Sequence, residues 1–362
     1  MKILIVDDSV VVRSLLKRVV SGIEGVTDVG IAANGLIACE KLLHDKFELV
    51  ILDMEMPEMD GLETLRALQE RKIAARCLIF ASSTQAGGRS AMEAFRLGAY
   101  DVIAKPVFEN FSPDQLFERI DALISPKIRL FLKGLIEQTP ANEGRRQPIP
   151  TTSSPAVAGS SPSPWPRGDV RTFRPEVLVI ASSTGGPAAL EAVLAHIKGP
   201  TSIPILIAQH MPPYFTKSLA DRLGEITGMP GGEGRNGEVI LPGRIYVAPG
   251  DYHMTVIARD GRHFIGLDQS SPILHVRPAA NRLMLSVAAV YGKKTLGLVL
   301  TGMGEDGKEG AIAIKQAGGL VMIQDKASSV VWGMPGSVAS VGAYDQEGDL
   351  QSLAAHVKTC AA

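Results

Sequence analysis

Two groups of residues in this 362-residue chain are of types that could do chemistry together. Asp7, Asp8, Asp53 and Lys105 are an acidic set with one amine in the first third, which suits a phosphorylation switch. Ser183, His210 and Asp306, in the last half, are of the types that serve as nucleophile, base and orienting acid in a serine hydrolase. The elements that must position the first set are short apolar runs at 2–6, 26–31, 49–52, 76–81 and 100–103, separated by amphipathic stretches. That alternation predicts a parallel sheet with helices on both faces. In open sheets of this kind the carboxyl ends of the strands line the crevice. Asp7 and Asp8 follow the first run, Asp53 the third and Lys105 the fifth, so all four are expected to converge there. Three packed carboxylates repel unless a cation joins them, and a small set of hard oxygen ligands suits Mg²⁺.

The second set rests on a similar pattern. The buried-strand run 177–181 leads into Ser182-Ser183-Thr184-Gly185-Gly186-Pro187 and a helical stretch at 188–197, which places a serine at a strand end. Such a turn serves either phosphate binding at a helix N-terminus or exposure of a nucleophilic hydroxyl, and the turn alone does not choose. This turn contains neither Gly-x-Gly-x-x-Gly nor Gly-Lys-Ser/Thr, and Ala181 stands where the first glycine of Gly-x-Ser-x-Gly belongs. The run 204–208 ends in Gln209-His210-Met211-Pro212-Pro213, so an imidazole emerges at a second strand end, within reach of Ser183. His253 is its rival among the seven histidines. The run 296–300 precedes Thr301-Gly302-Met303-Gly304-Glu305-Asp306-Gly307, from which Asp306 could orient the imidazole. Glu305 is the alternative for that role, and Asp306 could instead cap a helix at 307–317.

Composition bounds the rest. The chain is 45% apolar and 21% charged, enough for two cores, and a net charge of -1 lacks the basic excess that nucleic-acid binding demands. No run is apolar enough to span a bilayer, the N-terminus turns acidic too early for a signal peptide, and Cys39, Cys77 and Cys360 are scattered. The expectation is a soluble, cytoplasmic protein with reduced thiols and no membrane insertion. Residues 139–168 are rich in Pro, Ser, Thr, Gly and Ala and read as a mobile linker, with 128–136 apolar enough for a short docked helix. The expected domains are 1–125, a linker at 126–172, and 173–362.

Asp7-Asp8, Leu52-Asp53-Met54-Glu55-Met56-Pro57-Glu58-Met59-Asp60-Gly61, Ala81-Ser82-Ser83 and Lys105-Pro106 together resemble the receiver domain of bacterial two-component response regulators. The resemblance implies that Asp53 accepts a phosphoryl group, and that Asp8, Asp53 and the Glu55 carbonyl hold Mg²⁺ beside Asp7. It further implies that Lys105 pairs with the phosphate and that Ser82 is the switch hydroxyl, while Val102 stands where many receivers carry an aromatic switch residue. With Ser183-Thr184-Gly185-Gly186, Gln209-His210-Met211-Pro212-Pro213, Ala248-Pro249-Gly250-Asp251-Tyr252-His253-Met254, Leu300-Thr301-Gly302-Met303-Gly304 and Gly333-Met334-Pro335, the whole chain resembles the protein-glutamate methylesterases of bacterial chemotaxis (the CheB family). In that family a receiver is fused to a serine esterase, giving two doubly wound parallel-sheet α/β domains, one flavodoxin-like and one a Rossmann-like three-layer fold.

The family likeness makes Ser183 the nucleophile, His210 the general base, Asp306 its orienter and the Met303 N–H an oxyanion-hole donor. It implies hydrolysis of glutamate γ-methyl esters on methyl-accepting chemoreceptors, deamidation of glutamines by the same machinery, and a chemotaxis histidine kinase as phosphodonor. It also implies Mg²⁺ for receiver phosphorylation, no cofactor for the ester chemistry, and a receiver that covers the cleft until Asp53 is phosphorylated. Ser182, Glu305 and Pro278-Ala279-Ala280-Asn281 depart from the family pattern, the last at the expected substrate groove. The competing class is a non-catalytic, phosphorylation-controlled module that binds receptor or kinase, which intact Ser183, His210 and Asp306 disfavour.

Overall fold

The apolar runs of the first third become β1 (Lys2–Val6), β2 (Asp28–Ala32), β3 (Leu49–Asp53), β4 (Arg76–Ala81) and β5 (Asp101–Ala104), a wholly parallel sheet of order β2-β1-β3-β4-β5. In the computed structural model residues 1–106, 112–138, 165–169, 172–197, 199 and 201–361 are described. Because strand residues alternate between faces, Ile3, Ile5, Ile51 and Phe80 meet α1 (Val10–Ser21) and α5 (Pro113–Gln138). Leu4, Val50, Leu52 and Ile79 point the other way, toward α2 (Gly35–His44), α3 (Gly61–Glu70) and α4 (Gln85–Arg96). Sequence reading expected a separate short helix at 128–136, but α5 runs unbroken through Pro126 to Gln138. An internal proline costs a helix about 3 kcal/mol. Buried Ile120, Ile124, Ile128 and Phe131, spaced for one face, offset it.

The second sheet has seven parallel strands in the order β14-β13-β12-β6-β7-β9-β8. They are β6 (Val177–Ser182), β7 (Ile205–Gln209), β8 (Gly231–Glu233), β9 (Ile245–Val247), β12 (Thr295–Val299), β13 (Leu320–Gln324) and β14 (Gln346–Gly348). One face is covered by α6 (Gly186–Leu194), α7 (Phe215–Thr227) and α11 (Leu350–Ala361), the other by α8 (Ala280–Tyr291), α9 (Lys308–Gln316) and α10 (Gly333–Ser340). An antiparallel hairpin of β10 (His253–Arg259) and β11 (Arg262–Asp268) packs beside α8. Both sheets are thus parallel α/β layers, as the sequence pattern predicts.

Most of the linker expected between them lies outside the described residues. Its last part is not loose: Trp165 packs against the α8 side of the second core. The Arg167 guanidinium sits 4.7 Å from the Tyr344 ring centre, and the Gly168 N–H donates to Asp345 Oδ1 at 2.6 Å.

The two units meet through α4 and α7, and one apolar cluster runs without interruption from Met92 and Phe95 to Phe215 and Leu219. The approach is close enough to require glycine. A Cβ on Gly88 would stand 2.5 Å from Ser218 Oγ and 2.8 Å from the Tyr214 carbonyl oxygen. Val330 and Val331 of the second unit pack against the α1–α5 core of the first.

Candidate active site and phosphoacceptor pocket

From β6 the chain steps to β7 on one side, while β12 lies on the other, so the winding direction reverses at β6. Strand ends at such a reversal open a crevice. Ser183 follows β6, His210 follows β7, and Asp306 sits in the loop between β12 and α9. The sharp exit from β6 uses Gly185 at a φ of 76°, a conformation open to glycine at little cost. Two buried side chains brace the turn. The Ser182 hydroxyl donates to Gln209 Oε1 at 2.6 Å, and Gln209 Nε2 donates to the Ser183 carbonyl at 2.8 Å. The departure at Ser182 is therefore satisfied internally. Thr301 adds a third brace, its Oγ1 donating to the Thr184 carbonyl at 3.0 Å.

His210 Nε2 lies 2.8 Å from Asp306 Oδ2, and its Nδ1 has no hydrogen-bond partner among the described residues. Burial pushes the Asp306 carboxyl up, but the His210 hydrogen bond and charge, with the N–H groups of Asn281 and Ala280, bring it below the usual carboxylate range. The rivals are occupied elsewhere. His253 is fully buried, with Nδ1 accepting from the Ala279 N–H at 3.2 Å and Nε2 on the Ser271 carbonyl, so its role is structural. Glu305 is exposed and paired with Lys308. Asp306 does not cap α9, whose N-cap is Gly307; it accepts N–H groups from the first turn of α8 instead. The Met303 N–H has no hydrogen-bond partner among the described residues.

The crevice is covered. Ser183 is only 8% exposed. The Thr184 hydroxyl beside it donates to Asp101 Oδ2 of the first unit at 2.7 Å, and the same oxygen receives Lys127 Nζ at 2.5 Å. Sequence reading missed this contact, and no local signal could have revealed it, because the partners are 83 residues apart in different units.

In the first unit, Asp7, Asp8 and Asp53 bring one oxygen each within 4.8 Å of one another. Lys105 Nζ approaches Asp53 Oδ2 at 2.6 Å and Asp7 Oδ2 at 3.3 Å, so one amine faces two buried carboxylates. Burial, opposed by Lys105 and reinforced by the Asp7 charge, pushes the Asp53 carboxyl up to about 6. Such a donor set fits a small divalent cation. The Ser82 hydroxyl donates to Glu55 Oε1 at 2.8 Å, and Val102 is buried in the core.

Residues 178–357 match the CheB methylesterase family and residues 3–121 the response regulator receiver domain. The chain is 41% identical to a protein-glutamate methylesterase/protein-glutamine glutaminase of Caulobacter vibrioides over 94% of its length and 93% of that protein. It is 38% identical to the corresponding protein of Trichodesmium erythraeum, over 98% of this chain and 97% of that one. The crystal structure of the Thermotoga maritima CheB methylesterase catalytic domain, 40% identical, covers 51% of the chain and is itself 99% covered, with a TM-score of 0.48. No helix among the described residues is long and apolar enough to cross a membrane.

Proposed function

The chain belongs to the CheB methylesterase family, with a receiver domain ahead of the esterase, and we propose that it removes γ-methyl esters from glutamates of methyl-accepting chemoreceptors under phosphorylation control. The receiver takes in the expected 1–125 and the rest of α5 to Gln138, whose Ile128 and Phe131 are buried in its core, so the linker of the expected 126–172 shrinks to what lies between Gln138 and the hydrolase at 173–362. The observation that carries the catalytic half is the 2.8 Å contact of His210 with buried Asp306, in the crevice where Ser183 ends its strand. Ser183 Oγ attacks the ester carbonyl and passes its proton to His210 Nδ1, while Asp306 holds Nε2–H and steadies the imidazolium. The Met303 N–H stabilises the oxyanion. Collapse expels methanol, which takes the proton from His210. Water then enters, gives its proton to the same nitrogen, and releases glutamate and free Ser183. A glutamine side chain follows the same course and loses ammonia.

In the receiver, Asp53 takes the phosphoryl group from a chemotaxis histidine kinase. Asp8, Asp53 and the Glu55 carbonyl would hold Mg²⁺, with Asp7 beside it, and the ion would offset the charge of carboxylate and phosphate. Lys105 then pairs with the phosphate, and Ser82 leaves Glu55 to bond it. The bond from Asp101 to Thr184 supports a receiver that closes the crevice while unphosphorylated. On this reading the chain acts in the cytoplasm, beside receptor signalling domains.

The test is methanol release from methylated receptor fragments, with and without a small phosphodonor and Mg²⁺. Release that the phosphodonor stimulates and Ser183→Ala abolishes agrees with the proposal. Well-folded protein that releases no methanol refutes it.

A further inference from the structure

Asp306 is held from two sides by helix starts. Its Oδ2 accepts the Ala280 N–H at 2.6 Å as well as His210, and its Oδ1 accepts the Asn281 N–H at 2.8 Å. Both amides belong to the first turn of α8, whose N-terminal dipole favours a carboxylate. The arrangement is reciprocal: Asn281 Oδ1 accepts the Gly307 N–H at 2.9 Å and the Gly310 N–H at 3.0 Å, which open α9. Gly307 N–H is shared, since Asp306 Oδ1 also accepts it at 3.1 Å. Asn281 and Asp306 thus face one another across a single N–H, both buried. A neutral amide at 281 supplies the acceptor that α9 needs without adding a second negative charge beside Asp306.

Resting on the assignment of Ser183, His210 and Asp306 above, we propose that Asn281 is a positioning residue for the esterase. Its amide oxygen locks the 305–310 turn so that Asp306 presents Oδ2 to His210, and its neutrality leaves Asp306 as the single carboxylate acting on the imidazole. Of the other charged groups on the packed elements, Glu309 on α9 is exposed and those nearest this pair are engaged apart from it. Glu305 bonds Lys308, Arg282 bonds Asp268 across from α8, Arg277 bonds Asp251, and His253 is held by Ala279 and Ser271.

Two substitutions separate position from charge. Asn281→Asp keeps the acceptor and adds the charge, so the imidazolium is favoured and the acid limb of the kcat/KM profile moves up by about one pH unit. Asn281→Ala loses the acceptor and keeps neutrality, so kcat falls on the order of 10-fold or more with KM nearly unchanged and the limb in place. Above its shifted limb, Asn281→Asp recovers the kcat that Asn281→Ala lacks. The measurement is the pH profile of methanol release by the full-length protein, with Ser183→Ala and Asp306→Asn alongside. An unmoved limb in folded Asn281→Asp, or wild-type kcat in Asn281→Ala, overturns the inference while dead Ser183→Ala keeps the esterase assignment. Undiminished turnover in Ser183→Ala overturns both. If Asn281→Ala does not fold, the limb of Asn281→Asp alone decides.

Discussion

Thr184→Val isolates the contact that closes the crevice. The substitution keeps the shape of a buried side chain but removes the hydroxyl that donates to Asp101 at 2.7 Å. Asp101 keeps Lys127 and, through Oδ1, the Val102 N–H, so no carboxylate is stranded. A hydrogen bond to a charged acceptor contributes roughly 1.5–3 kcal/mol. Losing about 2 kcal/mol multiplies the ratio of open to closed protein by roughly 30, so a resting open fraction of about 1% becomes about 20%. The assay is the ratio of methanol release without phosphodonor to release with it. Taking a ratio cancels any direct effect on Ser183 chemistry, because such an effect scales both rates. The expected ratio rises by 10-fold or more, roughly. Asp101→Asn is expected to act in the same direction, and the double variant to exceed either single one by little, since both break one bond. A ratio within about twofold of the unaltered protein would refute the reasoning, because a two-state cover biased by this bond must respond to its loss.

Asp53→Asn is expected to stabilise the receiver above pH 6. A carboxyl raised from 3.8 to about 6 on folding contributes stability that is full below 3.8 and lost as pH rises through 6, so removing its charge gains on the order of 1–3 kcal/mol near neutrality and little near pH 4. Thermal melts across that range check it, and saturating Mg²⁺ is expected to narrow the gap by stabilising only the unaltered protein. Gly302→Ala would put a Cβ 2.3 Å from Met334 Sδ and 2.8 Å from Ser183 Cβ, so esterase turnover is expected to fall at least 100-fold, roughly, in a protein whose receiver still phosphorylates. Asp306→Asn reverses the hydrogen bond available to His210 Nε2 and is expected to lower kcat by about 10³–10⁴, measured as methanol release at saturating substrate.

Much of this was legible in the sequence because strand cores and strand ends have distinct signatures. Runs such as Val177-Leu178-Val179-Ile180-Ala181 are buried on both faces and read as strands, and the polar residues that follow them fall on the crevice. The edge strand β2 was placed two residues early at its start, since Asp28-Val29-Gly30-Ile31-Ala32 is only partly buried and its pattern is weak. A separate short helix at 128–136 was expected because propensity is local, whereas the burial of Ile124 and Ile128 that carries α5 through Pro126 is tertiary. For the same reason the Asp101 bond and the Asn281 exchange were invisible. Each depends on two elements meeting that are distant in the chain, and neither residue type signals it.

The close seat of Gly88 on α7 has a consequence for how the receiver itself is built. Gly87 and Gly88 occupy the first turn of α4, where each weakens a helix by about 1 kcal/mol relative to alanine. Gly88 permits docking and Gly87 the close approach of Ser82, whose carbonyl oxygen a Cβ would meet at 2.1 Å, both at the cost of intrinsic order. The first turn is held by the Thr84 cap, whose Oγ1 accepts the Gly87 N–H at 3.0 Å, and by its seat on α7. On undocking, that turn is the part of the receiver expected to fray first.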